Sequence, residues 1–207
     1  VGARATTSTD QQQAIFEAAY ACLAERGYAH VSMRDIARRA GVVLSQLHYY
    51  YQSKDGLFLH VMRQVTARHL EDVRRHLAGP AGTVHDKVTA AVELFRSKLR
   101  SDPALFRLLF DFTSLALWNT RAREELVRLY SDVSDLVEQA ILVSKAEGHA
   151  PPAGDRNGIS PRVVARLLLT TLYGAALQAM VTPEDAEMAE VLAGAEHMVL
   201  RMVGAQD

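Results

Sequence analysis

The sequence predicts an all-α protein, and three observations carry that prediction. Apolar residues recur every three or four positions through most of the chain, the period of a helix with one buried face. No stretch alternates apolar and polar residues as a half-buried strand does. Breaks rich in Gly, Pro or Ser separate the periodic stretches: Gly27, Ala40-Gly41, Ala78–Gly82, Ser101-Asp102-Pro103 and Gly148–Ser160. Together these features divide the chain into about nine helices.

The first helix is expected over Asp10–Arg26, with Thr9 or Asp10 as its cap and residues 1–9 as a small, polar, disordered arm. Ile15, Ala18, Ala19, Cys22 and Leu23 form its buried face, and Gly27 ends it as a left-handed cap. The second helix follows Ser32, with Asp35 three residues on completing a capping-box pattern. It ends at the Ala40-Gly41 turn, and the third spans Val43–Tyr50. Ile36 and Ala37 on one and Leu47 on the other can pack the pair together. Two short helices joined by a Gly turn, the second carrying amide, hydroxyl and ring groups, match the helix-turn-helix design for reading a DNA major groove. Ser53 caps a long fourth helix, with Lys54 and Asp55 in its first turn and an apolar side running from Leu57 to about Leu77. That helix joins the two-helix unit to the rest of the chain.

The fifth helix is expected over Val84–Arg100 and the sixth over Pro103–Trp118. The sixth is apolar nearly all round and is therefore a buried helix, with Asp111 alone inside it. The seventh covers Thr120–Glu147, the eighth Pro161–Val181 and the ninth Pro183–Val203. The last two carry apolar residues on more than one face, and Gly174, Ala175 and Ala179 permit close helix approach. That pattern suits a homodimer in which helices eight and nine dock on their mates as a four-helix bundle.

Composition narrows the function. With 23 Lys plus Arg against 24 Asp plus Glu, nothing in the overall charge attracts nucleic acid, so DNA binding must rest on local placement. One cysteine, Cys22, excludes an internal disulfide and fits a reducing cytoplasm; its place on an apolar stripe marks a packed thiol. The first residues lack a signal-peptide pattern. The apolar run Val163–Val181 is broken by Arg166, Thr170, Thr171 and Gln178, so no membrane span is expected. The eight His residues show no metal-ligand spacing, and there is no nucleophile motif or phosphate loop. An enzyme, a cofactor and a metal are all unexpected on these grounds.

Ile15, Ala18-Ala19, Leu23, Gly27-Tyr28, Ser32-Met33-Arg34, Ile36-Ala37, Ala40-Gly41-Val42, Leu47, Tyr50-Tyr51, Ser53-Lys54 and Leu57 stand at fixed spacings. At those spacings residues 14–57 resemble the TetR family of bacterial transcriptional regulators. The stretches LFDFTSLALWNTRAREELVRLYSD and ARLLLTTLYGAALQAM look similar to C-terminal domains of the subgroup that includes choline-responsive repressors. The resemblance implies a DNA-binding domain over residues 1–55 and a ligand-binding and dimerisation domain over 56–207. It implies a cytoplasmic homodimer whose partners are double-stranded operator DNA and an unknown small-molecule effector, largely apolar or aromatic, that releases a repressor. The alternative is a relative controlled by a protein partner, or acting as an activator, without such an effector. Three positions depart from the family: Val43 where Ser or Thr is usual, Ser45 where Gly, Ala or Pro is usual, and His48 where Tyr is usual. They imply an unusual operator preference.

The candidate DNA contacts are Ser32, Arg34, Leu44, Ser45, Gln46, His48, Tyr49 and Lys54. Gln46 can pair with adenine through two bonds, Ser45 with either base of a pair, and Leu44 with a thymine methyl. Tyr49 can reach backbone or base, and His48 donates best to a phosphate when protonated. Lys54 at a helix N-terminus makes a phosphate site. Ser32 and Arg34 grip phosphate from the second helix, while Arg38 and Arg39 read equally well as solvated charges. One or both of Tyr50 and Tyr51 are expected to pack beneath the third helix, Tyr51 in the core. The candidate ligand contacts are Phe110, Asp111, Trp118, Tyr130 and Tyr173. A carboxylate among large apolar residues needs a partner, and a structural Arg (Arg107, Arg121 or Arg166) is favoured over a ligand's positive charge.

Overall fold

The computed structural model of the chain describes residues 8–78, 82–146, 159–182 and 187–202. Nine α-helices and a single 3-10 turn occupy them, with no strand among the described residues. Residues 1–7 of the expected arm, the break at 79–81, most of the Gly148–Ser160 loop and the Pro183 start of the ninth helix lie outside those residues, whereas Ser8 and Thr9, expected in the arm, are helical.

Helix α1 spans Ser8–Arg26, starting ahead of the expected cap, so that Asp10 falls in the first turn, where a carboxylate complements the helix dipole. Its predicted face is buried, Cys22 included. Gly27 ends it at φ 74° and ψ 162°. That setting is essentially confined to glycine, and it is not the left-handed cap expected. It turns the chain into a 3-10 turn, Tyr28–His30, that the sequence pattern did not announce. Helix α2 is Met33–Ala40, α3 is Leu44–Tyr51 and α4 is Lys54–Leu77. Helices α5 (Val84–Ser101), α6 (Pro103–Ala116), α7 (Thr120–Ala146), α8 (Pro161–Val181) and α9 (Met188–Met202) complete the order.

Two adjoining cores hold these helices. The first joins Ile15, Phe16, Ile36 and Leu47 of the two-helix unit and its α1 support to Phe58 of α4 and Leu108 and Phe112 of α6. The second lies between the far half of α4, α5, α7, α8 and α9, around Val88, Val92, Ile141, Leu168 and Val199. Removing each large side chain from water contributes roughly 1.5–3 kcal/mol. The first core is continuous from α1–α3 into α6, so the two-helix unit and α6 share one packed interior.

Helix α6 departs from its expected end. It stops at Ala116, where Arg123 donates to the carbonyls of Ala116 at 3.2 Å and Leu117 at 3.0 Å. Asn119 Oδ1 then accepts from Ala122 N at 3.1 Å and caps the start of α7. The chain must turn between these two caps, so Leu117 and Trp118 lie on the corner, with Trp118 87% exposed. Helix α8 is long and apolar enough to cross a membrane by length and composition alone. Its apolar residues divide between a buried face containing Leu168 and Leu172 and an exposed one containing Leu177 and Val181.

Candidate functional site

The two-helix unit is built by short-range hydrogen bonds. Ser32 Oγ accepts from Asp35 N at 3.2 Å, and Asp35 Oδ2 accepts from Ser32 N at 3.0 Å, the reciprocal capping box the sequence predicted. These bonds and the nearby Arg26 and Arg38 guanidinium groups hold the Asp35 carboxyl below its usual range. Gly41, at φ 67°, closes α2 in the left-handed region and sends the chain into α3.

On α3, Ser45, His48 and Tyr49 fall at helical spacing and are all exposed, Tyr49 by 82%, and Gln52, just past its end, is exposed too. Leu44, Leu47 and Tyr51 fall on the opposite stripe. Leu47 is buried, and Leu44 and Tyr51 are half-buried against the first core. Leu44 was expected to face outward; it instead shares the stripe that anchors the helix. Tyr50 and Tyr51 pack as expected. His48 Nδ1 donates to the Gln52 carbonyl at 3.2 Å, which leaves Nε2 an acceptor while the ring is neutral and a donor only once it is protonated. Ser32 and Arg34 are exposed beside this helix. Arg39 forms a forked pair with Glu25 at 2.6 and 2.8 Å, and Arg38 approaches Asp35 at 4.0 Å.

Val43 is 62% exposed and supplies no side-chain cap to α3. Gln46 Oε1 folds back to accept from Val43 N at 3.3 Å. The amide expected to read adenine therefore holds half of a capping box, and that long bond must open for two-point base contact. Val43→Thr is expected to raise stability by about 1 kcal/mol by restoring the missing cap. A higher urea midpoint at unchanged slope would be the sign of it.

Lys54 opens α4, with its ammonium 4.2 Å from the centre of the Tyr28 ring. Tyr28 stacks on Phe58 with ring centres 4.7 Å apart and donates its hydroxyl to Asp55. Burial, and then the Asp55 carboxylate, push the Tyr28 phenol pKa up, so it stays a donor. The other Asp55 oxygen accepts from Asn119 Nδ2 at 3.1 Å. Asp111 Oδ2 accepts from Tyr28 N at 2.7 Å. Its partner is thus a backbone N–H of the 3-10 turn, neither a ligand nor one of the three arginines considered. A ring of polar contacts ties the head of α4 and the turn after α1 to α6 and the start of α7.

A cavity of about 800 Å³, its mouth included, lies between α4, α5, α6, α7 and α8. Of the predicted ligand residues, Tyr130 and Tyr173 line it. Phe110 packs against the Tyr173 ring at 5.0 Å without lining the cavity, and Asp111 and Trp118 lie elsewhere. Aromatic residues on one apolar helix point to several sides, so composition alone cannot select those facing an opening. His69, Phe95 and Phe106 line the cavity too and were not singled out. The one signal available for His69 was an imidazole within the apolar pattern of α4.

Residues 15–61 match the profile of bacterial regulatory proteins of the tetR family, and residues 84–204 match that of the C-terminal region of BetI-type transcriptional repressors. The structure is similar to a TetR transcription regulator from Haloarcula marismortui, with 23% identity and a TM-score of 0.76 over 96% of this chain and 98% of that one. It is also similar to SmeT, the repressor of the Stenotrophomonas maltophilia multidrug efflux pump SmeDEF, with 24% identity and a TM-score of 0.68 over 92% of this chain and 88% of that one. The SmeT–triclosan complex matches at 23% identity and a TM-score of 0.71, over 92% of this chain and 90% of that one. At these identities the structural likeness establishes the fold.

Proposed function

The chain belongs to the TetR family of bacterial DNA-binding transcriptional regulators, which are not enzymes, and from that premise we propose that it is a repressor released from a palindromic operator by a small, largely apolar molecule. One observation carries the proposal: α4 reaches both the cavity and the two-helix unit, and α6 reaches both the cavity and the α1–Tyr28 support of that unit. Helix α4 starts with Lys54 and carries His69, Val73 and Leu77 on the cavity wall. Helix α6 lines the cavity with Leu109, while Asp111 and Phe112 hold Tyr28 and Phe58. A molecule that fits one setting of α6 better than another must shift the head in the same proportion, and operator DNA must shift the cavity reciprocally. The cavity favours this reading over control by a protein partner alone.

The head is residues 1–55 and the remainder, 56–207, binds the effector and dimerises. Ser45, His48 and Tyr49 read the groove with Gln46 at their edge, while Ser32, Arg34 and Lys54 hold phosphates. Two heads enter successive major grooves roughly one helical turn apart. The dimer forms through α8 and α9, in the cytoplasm. Val163, Leu167, Leu177 and Val181 on α8 and Val191 and Met198 on α9 are exposed apolar residues. A Cβ added at Gly174 or Gly194 would meet no atom within 4 Å, which leaves room for a partner helix.

Operator binding tests the head. Lys54→Ala is expected to weaken binding about equally on all sequences and lower the salt slope by about one, whereas Gln46→Ala relaxes preference at one base pair by about 1–3 kcal/mol. Unchanged affinity and preference in both variants would remove these residues from the interface.

A further inference from the structure

Resting on the reading of the cavity as the effector site, we propose that the effector is an uncharged aromatic molecule bearing a hydroxyl group, and that His69 Nδ1 is the atom that receives this group. None of the sixteen residues on the cavity wall is Asp, Glu, Lys or Arg. Their polar side chains are His69, Tyr130 and Tyr173. Tyr173 is already committed: its hydroxyl lies 2.9 Å from Thr113 Oγ1 and 3.2 Å from the Leu109 carbonyl, and its ring meets Tyr130 edge to face. His69 Nδ1 is buried and has no hydrogen-bond partner. On the same helix, His76 Nδ1 bonds to the carbonyl four residues back, at 3.2 Å; His69 does not use that solution. His69 lines this otherwise apolar cavity, and a buried nitrogen left unpaired in a lining residue is a group a ligand can satisfy.

The charge of the ligand follows from the surroundings. Burial first, and then the Lys98 ammonium, hold the imidazole below its usual pKa, against the opposing carboxylates Asp72 and Asp102. Asp72 is itself held by Lys98 at 2.5 Å, and Asp102 caps α6. His69 is therefore neutral at neutral pH and brings no charge to the wall. A ligand cation would lose its hydration without gaining a counter-charge, because no carboxylate lines the wall and Asp111 lies elsewhere. Two aromatic pairs of the wall, Phe95–Phe106 and Tyr130–Tyr173, meet edge to face at 5.3 and 5.8 Å. Their ring faces are turned to neighbouring edges, not arranged as a cage for a cation. A neutral imidazole donates or accepts at Nδ1 according to tautomer, and a hydroxyl satisfies either form.

The experiment uses the full chain and three related probes: para-phenylphenol, para-methylbiphenyl and trimethyl(para-biphenylyl)ammonium. Equilibrium dialysis is expected to rank the phenol about tenfold tighter than both others, the worth of one buried hydrogen bond. His69→Phe keeps a ring in place and is expected to bind phenol and hydrocarbon equally. His69→Gln keeps a hydrogen-bonding group and is expected to retain a preference for the phenol, so the conclusion does not hang on one variant folding. Equal binding of phenol and hydrocarbon to the unaltered protein overturns the role of His69, and equal binding of the ammonium overturns the uncharged class. Phenol selectivity without release of operator DNA leaves the anchor standing and overturns the effector reading instead. If none of the probes binds, both are overturned.

Discussion

Gly56→Ala is expected to abolish operator binding and to lower stability by roughly 2–3 kcal/mol. Gly56 is the third residue of α4, and its N–H is taken by the Ser53 cap at 3.0 Å. A Cβ at this position would overlap the Tyr51 carbonyl oxygen. A side chain can swing away from such a contact, but a backbone carbonyl can move only with its chain. That carbonyl already accepts from Ser53 N at 2.6 Å across Gln52, which sits at φ 62° and ψ −45°. This is the rare, strained form of a three-residue turn, so the joint between α3 and α4 has no slack. Making room for a methyl group tilts α4 against α3 and carries Lys54 away from the exposed stripe of Ser45, His48 and Tyr49. Urea unfolding and fluorescence anisotropy on a labelled operator measure the two effects. An unaltered midpoint together with unaltered affinity would show that the joint yields.

The second large effect is expected at Asp111. Asp111→Ala leaves the partly buried Tyr28 N–H without its acceptor, at a cost of about 1–3 kcal/mol. The loss has a local signature: the Tyr28 amide should exchange with solvent far faster, while amides in the second core keep their protection. Operator affinity should fall as well, because Tyr28 supports the Lys54 ammonium from one side and engages Asp55 from the other. Asp111→Asn keeps an acceptor oxygen but not the charge, so it should fall between the unaltered protein and the alanine variant. If Tyr28 exchange is equally slow in all three proteins, this bond does not hold the turn after α1 to α6.

Asp111 also shows where sequence reasoning reached its limit. Its isolation among Phe110, Phe112 and the leucines of α6 was visible, and so was its need for a partner. The partner is a backbone N–H 83 residues earlier, and such a donor has no side-chain signature. Arginines were the visible candidates only because their charge can be read from letters. Leu44 misled for a different reason. In a helix of eight residues the apolar stripe is one or two side chains wide, so a leucine at its edge fits either face. Trp118 was drawn into a buried helix by its neighbours, until two caps placed it on a corner. His69 interrupts the apolar pattern of α4, but its significance depends on five helices closing around it.

The sequence alone determined the helices, the turn between α2 and α3, the capping box at Ser32 and the apolar stripes of α1 and α4. These depend on residues within a few positions of one another, where periodicity and capping chemistry act directly. Tertiary structure decided which aromatics meet an opening, what Asp111 holds, which nitrogen is left unpaired and how Tyr28 joins the head to α6. Those outcomes depend on groups brought together from distant parts of the chain, and no local spacing encodes them. The α2–α3 unit was legible as a reading head, whereas its connection to a cavity became visible only in the packing of α4 and α6.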